Sequence, residues 1–202
     1  SVEKFLNARR FMYWQVYLHK TSIVAEQLLI RVLKRAKELI HSGVILQTSK
    51  PLDYFLRHDI SLHDFNGEVL DIFSELDDFD IISSLKTWQH HDDFVLSNLC
   101  EMILNRNLLK IKIKNKKIKA QDIELHLDSV IKKHQITKEE ASYFVFTGHI
   151  SNQAYMLKTQ GINILHKSGK VEDLSKVSDL FNAKALSKPV TKYYICFPKE
   201  KL

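Results

Sequence analysis

The chain has 202 residues, of which 45% are apolar, and it carries a net charge of +6 at pH 7. This size and composition allow a substantial hydrophobic core in one or two lobes and exclude a chain that is disordered by composition. The longest apolar runs fall well short of the roughly 20 residues that a membrane span needs, and no signal peptide is visible, so we expect a cytoplasmic protein. Cys100 and Cys196 lie far apart in apolar surroundings, which indicates buried thiols and not a disulfide.

The segment from Phe5 to His41 has helical periodicity, contains neither Gly nor Pro, and is followed by Gly43, a typical helix stop. It predicts one long central helix with a wide apolar band. On such a helix Arg9, Tyr13, Tyr17 and Lys20 would share one edge. Residues of these types are also common at the boundary of a core, so composition alone favours a structural role for them. Since the chain begins with Ser and enters this helix almost at once, we expect it to be part of a longer protein.

Short helices follow. Pro51 can begin one, residues 68–76 form another, and two more are predicted at about 79–90 and 93–106. Each of the last two comes directly after a pair of aspartates, Asp77-Asp78 and Asp92-Asp93, which can cap the helix that follows. We therefore interpret these aspartates as helix caps and not as catalytic carboxylates.

The periodicity changes at Leu108. Three lysines alternate with apolar residues from Leu109 to Lys114, which predicts a half-buried strand with a solvated lysine face. The remaining predicted elements are a helix at 122–134, a capping box of Thr137 and Glu140, a strand at 143–149, a hairpin at 162–174 with its turn at 167–170, a helix at 175–185 and a strand at 192–197. The predicted fold is mostly α, with a helical lobe at 1–107 and a smaller α+β lobe at 108–202.

Two short motifs resemble those of a known family. The pattern A-R-R-x-M-Y-x-x-V-Y-x-H-K spans Ala8 to Lys20, and L-N-R-N-L-L-K spans Leu104 to Lys110. Both are similar to segments of HD-domain phosphohydrolases of the deoxynucleoside-triphosphate triphosphohydrolase type. The resemblance covers the first half of the chain well and the second half loosely, and it implies the C-terminal portion of an HD-domain-like fold.

The resemblance implies metal-assisted hydrolysis of a phosphate ester or anhydride in the intact enzyme, with a nucleotide as the substrate. It places Arg9 on the triphosphate and Tyr17 against the deoxyribose, and it makes Tyr13 a further substrate contact. These roles agree with the chemistry of a guanidinium and a phenol. The family's metal ligands would precede Ser1, so we expect no catalytic residue and no metal ligand in this chain, which would be inactive alone.

A second implied site is regulatory. In some members, the residues at the positions of His19, Lys20, Arg106 and Lys110 help to bind a nucleotide between subunits, which implies a homo-oligomer. The alternative is that His19 is a helix-junction histidine and that the other three are surface charges. The sequence leaves both readings open.

Three His-Asp dipeptides could suggest a divalent metal site within the chain. One such set would combine His63, His91, Asp92 and Asp122. We reject it, because residues 90–93 read as a polar helix junction. The divalent metal is expected only in the intact enzyme.

The lysine cluster from Lys110 to Lys119 supports a function of another class, a nonenzymatic module that binds nucleic acid or a partner protein. No aromatic residues alternate with these lysines, so base stacking has no platform there. A solvated strand face is the simpler interpretation.

Overall fold

The computed structural model describes residues 2–152, 162–173 and 190–199. The helices are α1 (Val2–Met12), a π-helical segment (Tyr13–Tyr17), α2 (Lys20–His41), α3 (Lys50–Arg57), α4 (Gly67–Glu75), α5 (Asp78–Trp88), α6 (Phe94–Leu104), α7 (Ala120–His134) and α8 (Lys138–Ala141). The strands are β1 (Lys110–Lys114), β2 (Phe146–Asn152), β3 (Asn163–Leu165), β4 (Val171–Asp173) and β5 (Val190–Phe197). The fold is therefore mainly helical with a small β part.

Helix α2 is the centre of the packing. One of its faces is buried at regular helical spacing, through Ile23, Val24, Leu28, Val32, Ala36 and Ile40. It packs against α6 and α3 and reaches the sheet at β1. Gly43 follows with a φ of +94°, a left-handed conformation that costs glycine little, and so it ends the helix as predicted.

The predicted long helix from Phe5 to His41 is wrong in one respect, because it is interrupted. The Leu18 N–H donates to the Tyr13 carbonyl at 2.7 Å, the i→i+5 spacing of a π turn, and His19 is extended with φ −65° and ψ 142°. The His19 Nδ1 atom accepts a hydrogen bond from the Thr21 N–H at 3.3 Å and so caps a separate helix α2. The chain therefore has two consecutive helices where periodicity predicts one.

The predicted caps of the later helices are confirmed. Asp77 and Asp80 form a capping box at α5, Asp93 accepts from the Leu96 N–H at α6, and Thr137 with Glu140 caps α8. Each cap satisfies amide groups that a helix start leaves without partners.

The sheet has the order β1-β5-β2, and both pairs are antiparallel. The predicted strand at 143–149 begins later, at Phe146, because Tyr143 and Phe144 form a buried turn after α8. Strands β3 and β4 form the predicted hairpin. The predicted helix at 175–185 lies outside the described residues.

Helices α2, α3, α5, α6, α7 and α8 and the three-stranded sheet contribute to one hydrophobic core. Cys100 and Cys196 are buried in it as free thiols, as predicted. The predicted boundary between lobes 1–107 and 108–202 falls in the turn between α6 and β1, and it stays a prediction. Among the helices that the structure describes, none is both long and apolar enough to cross a bilayer.

Candidate functional site

Arg9, Tyr13 and Tyr17 form a continuous polar edge along α1 and the π-helical segment. The Arg9 guanidinium carbon lies 5.5 Å from the centroid of the Tyr13 ring, and the Tyr13 and Tyr17 rings are 5.1 Å apart with planes inclined at 50°. Arg9 is exposed, Tyr13 is half-buried, and Tyr17 is 60% exposed. The edge therefore faces away from the core, and its guanidinium and phenol groups are accessible.

The interruption after Tyr17 changes the predicted edge. Lys20 is the first residue of α2, so helical spacing no longer relates it to Arg9, Tyr13 and Tyr17. The break is bridged by the Ser22 hydroxyl, which donates to the Val16 carbonyl at 3.3 Å. The structure thus keeps three of the four predicted edge residues together.

The surface around this edge is unusually apolar. Phe5, Phe11, Met12 and Val16 are all largely exposed. None of the α1 side chains that the structure describes belongs to the hydrophobic core. An exposed apolar cluster of this kind is typical of a surface that another polypeptide segment covers.

The four predicted regulatory residues lie on separate elements. His19 caps α2 and Lys20 begins it, whereas Arg106 follows α6 with a φ of +55° and Lys110 begins β1. All four are exposed. No hydrogen bond or ion pair within residues 2–152 joins the first pair to the second. The cap engages only Nδ1 of His19, so Nε2 can still contact a ligand.

The aspartates and histidines near the His-Asp dipeptides have structural partners. The Asp122 carboxylate pairs with Lys114 at 2.9 Å, and His91 Nδ1 accepts from the Asp93 N–H at 2.9 Å. Within the described ranges, no three His, Cys, Asp or Glu side chains come together as a metal-ligand group. His91 thus serves a helix junction, and Asp122 serves a surface ion pair.

Sequence reasoning missed a partly buried ion-pair network on α2. Arg35 is the cation at its centre. Its Nε donates to Asp93 Oδ1 at 3.1 Å and its Nη2 to Asp93 Oδ2 at 2.6 Å, while Glu38 accepts from both Arg35 and the Tyr143 hydroxyl. This network joins α2 to α6 and to the turn before β2.

The charges of this network perturb its titration. Burial alone would raise the pKa of Asp93, but the Arg35 guanidinium and the Leu96 N–H outweigh it and hold this pKa below its usual value. The pKa of Tyr143 is raised, first by burial and then by its hydrogen bond to Glu38. The Asp93 carboxylate is therefore charged at neutral pH, and its pair with Arg35 fixes α2 against the start of α6.

The lysine-rich strand is arranged as the alternation predicts. Lys110, Lys112 and Lys114 are exposed, and the intervening isoleucines are half-buried. Lys114 pairs with Asp122, and the Lys112 Nζ lies 5.0 Å from the centroid of the Phe197 ring on β5. Two of the three strand lysines thus contact neighbouring side chains.

The chain is similar to known proteins in both sequence and structure. No protein-family model matches the chain. It is 27% identical, over an alignment of 208 residues, to the uncharacterized protein YwfO of Bacillus subtilis, and the match covers 99% of this chain and 45% of that protein. The crystal structure of a phosphohydrolase from Bacteroides thetaiotaomicron matches with a TM-score of 0.89 and 42% identity, over 98% of this chain and 50% of that one. The chain spans about half the length of both relatives, and its fold is shared with half of the phosphohydrolase.

Proposed function

We propose that this chain is the C-terminal portion of an HD-domain phosphohydrolase that acts on nucleotides, with deoxynucleoside triphosphates as the preferred substrates. The observation that carries the proposal is the accessible Arg9-Tyr13-Tyr17 edge. It lies on a chain whose sequence is 42% identical to half of a phosphohydrolase. In this proposal the chain supplies one wall of the substrate pocket, and it is inactive when separated from the rest of the protein.

The chemistry of the edge fits a nucleotide. A guanidinium offers paired N–H donors to phosphate oxygens and keeps its charge at any physiological pH. The Tyr13 ring beneath Arg9 restricts the guanidinium by a cation–π contact, and this lowers the entropy lost on binding. Tyr17, next along the edge, presents an apolar ring and a hydroxyl to the sugar. Arg9 would bind the polyphosphate and the tyrosines would orient the nucleoside.

The exposed apolar residues of α1 support the same proposal. Phe5, four residues before Arg9, lies on the same side of α1 as the edge, whereas Phe11 is exposed on the other side, and both relatives are about twice as long as this chain. In the proposed whole protein, the remaining half covers these residues and closes the pocket over the edge. Residues of that half would hold the divalent metal, because the described part of this chain offers no group of three metal ligands.

The test is the activity of the full-length protein on a panel of nucleotides, with the release of phosphate and of tripolyphosphate measured separately. Arg9→Gln should lower kcat/KM about 100-fold or more, since a charge-assisted interaction with phosphate is lost. Arg9→Lys should recover part of this loss. Tyr17→Phe keeps the ring and should change KM little, whereas Tyr17→Ala should raise it about tenfold. Arg57→Gln, an exposed arginine of α3, is the matched control and should behave as wild type.

Two results would contradict the proposal. One is the absence of nucleotide hydrolysis by the full-length protein with any of several divalent metals. The other is an Arg9→Gln variant with the kinetics of Arg57→Gln, which would assign Arg9 to the surface.

We further propose that the protein is a homo-oligomer in which His19, Lys20, Arg106 and Lys110 bind a regulatory nucleotide between subunits. Support comes from the exposure of all four residues and from the unused Nε2 of His19. Nucleotide titration of the full-length protein, followed by light scattering and by activity, tests this. Assembly or activation that Lys20→Gln and Arg106→Gln abolish supports regulation, and no response to any nucleotide contradicts it.

A second candidate function is a nonenzymatic module that binds nucleic acid or a protein through the lysine-rich strand. The observation in its favour is that three lysines of β1, an edge strand of its sheet, are exposed on one face. A gel shift with nonspecific DNA should then weaken steeply as salt rises. Unchanged DNA binding by a triple variant that combines Lys110→Gln, Lys112→Gln and Lys114→Gln would refute this function.

A further inference from the structure

A cavity of about 340 Å³ lies between α7 and the end of β5, separate from the edge on α1. Its walls are His126, Ser129, Val130, Lys133, His134, Phe197, Pro198 and Lys199. The His126 imidazole stacks on the Phe197 ring with centroids 3.8 Å apart and planes 13° from parallel. This stack joins α7 to β5 beside the cavity.

The walls of this cavity carry cationic groups and no carboxylate among the residues that the structure describes. Lys133 and Lys199 supply ammonium groups, and Ser129 supplies a hydroxyl. Lys112 of β1 does not line the cavity, although its Nζ lies 5.0 Å from the centroid of the Phe197 ring. Asp122 of α7, one turn before His126, is paired with Lys114. The described walls therefore present ammonium, hydroxyl and imidazole groups that can donate hydrogen bonds to an anion.

The surroundings of both imidazoles at the cavity lower their pKa values. Burial lowers the pKa of His126, and Lys112 lowers it further against the opposing effect of Asp122. Burial and then Lys133 lower the pKa of His134, whose ring also contacts Phe94 of α6. The Nε2 atom of His134 is buried without a hydrogen-bond partner in the described structure. A buried polar atom of this kind usually has a partner such as an ordered water or a ligand.

We propose that this cavity binds a small phosphate-bearing anion through Lys133, Lys199 and Ser129, with His126 and His134 beside it. A cavity near 340 Å³ is at the lower end of the range of ligand pockets, about 300–1,000 Å³, so it suits inorganic phosphate or pyrophosphate better than a whole nucleotide. An anion there favours the imidazolium form of both histidines, so binding takes up protons and strengthens as pH falls. The proposal does not depend on the proposed function.

Isothermal titration of the full-length protein with phosphate and pyrophosphate, at constant ionic strength, tests the proposal. The double variant Lys133→Gln/Lys199→Gln should weaken binding about tenfold or more. Lys132→Gln is the matched control, because it removes the same charge from the neighbouring position of α7 but does not line the cavity. It should change the affinity less than about twofold at physiological salt. Circular dichroism establishes that each variant is folded.

Two further measurements separate this site from the edge on α1. Titration in buffers of different ionisation enthalpy should show proton uptake, and affinity should rise about fivefold or more from about pH 8 to about pH 6. His126→Gln should reduce the uptake. Arg9→Gln should leave this binding intact, even where it abolishes nucleotide hydrolysis.

Saturable binding that the double variant weakens and Arg9→Gln does not establishes the site. A titration that shows no saturable binding overturns the proposal. So does a loss of affinity in Lys132→Gln equal to that in the double variant, which would indicate only general attraction to a basic surface. A single-stranded oligonucleotide that displaces pyrophosphate with much higher affinity would also overturn it, since the cavity would then be part of a nucleic-acid surface.

Discussion

The Arg35–Asp93 pair offers a direct test of how α2 is held in place. Asp93→Asn removes the charge but keeps an oxygen that can cap α6, so the change isolates the ion pair. The side chains of Arg35 and Asp93 are 19% and 13% exposed, and two hydrogen bonds of 3.1 and 2.6 Å join them. Breaking a fully buried ion pair lowers the free energy of unfolding by about 3–5 kcal/mol, so breaking this partly exposed pair should lower it by about 2–3 kcal/mol. Urea unfolding followed by circular dichroism measures it.

The pH dependence gives a second measure of the same pair. The pKa of Asp93 is lower in the folded protein than in the unfolded chain, so its stabilisation is complete above the unfolded value of about 3.9. The stabilisation is lost as pH falls through the lower, folded value. The difference between wild type and Asp93→Asn should therefore be constant from about pH 7 to about pH 5 and shrink below about pH 4.

The control for this prediction is Asp59→Asn. Asp59 also pairs with a cation of α2, since its carboxylate lies 2.7 Å from Lys37 Nζ, but its side chain is 83% exposed. Exposed pairs contribute little, so this change should leave the urea midpoint at its wild-type value. Equal effects of Asp93→Asn and Asp59→Asn, or a loss below about 1 kcal/mol for Asp93→Asn, would refute the role given to the buried network.

Two other predictions concern the sheet and the thiols. Gly148 lies opposite Tyr194 in the β2–β5 pair, and a Cβ atom at position 148 would overlap the Tyr194 phenol. Gly148→Ala should therefore lower the free energy of unfolding by about 2–3 kcal/mol and alter the near-ultraviolet circular dichroism. Gly169→Ala, at an open turn with a φ of +83°, should cost only about 1 kcal/mol and leave that spectrum unchanged, and the reverse order would refute the packing. Burial raises the pKa of Cys100 and of Cys196 to about 12, so neither thiol should react with a disulfide reagent near pH 8 until the protein is unfolded. Rapid reaction of either thiol in the native protein would show that the core is open.

Local sequence signals predicted most of the helices and strands, because each is specified by residues within it. Asp77 and Asp93 predict helix starts because their side chains can cap the first turn, and the alternation of Lys112 with Ile111 and Ile113 predicts a strand. These signals do not depend on distant parts of the chain. They could therefore be read without the structure.

The break after Tyr17 could not be predicted from periodicity, because the apolar pattern continues across it and no Gly or Pro marks it. One signal was present. Thr21 and Ser22 are small hydroxyl residues suited to a helix start, and His19 before them can act as a cap. The π turn also shifts the register by one residue, which only the backbone hydrogen bonds reveal.

Long-range pairings could not be predicted either. The order β1-β5-β2 places the last described strand between two earlier ones, and no local pattern encodes such a crossover. The same limit applies to Arg35 and Asp93, which are 58 residues apart in the chain, and to the His126–Phe197 stack at the cavity. The edge of Arg9, Tyr13 and Tyr17 was found because its members are close in sequence.

The central claim is that Arg9 binds the phosphates of a nucleotide substrate. Equilibrium binding of a non-hydrolysable deoxynucleoside triphosphate analogue to the full-length protein tests it most directly. We predict that Arg9→Gln weakens this binding at least about tenfold and that Arg57→Gln leaves it unchanged. Equal affinities of the two variants, or no analogue binding by the wild-type protein, would contradict the claim.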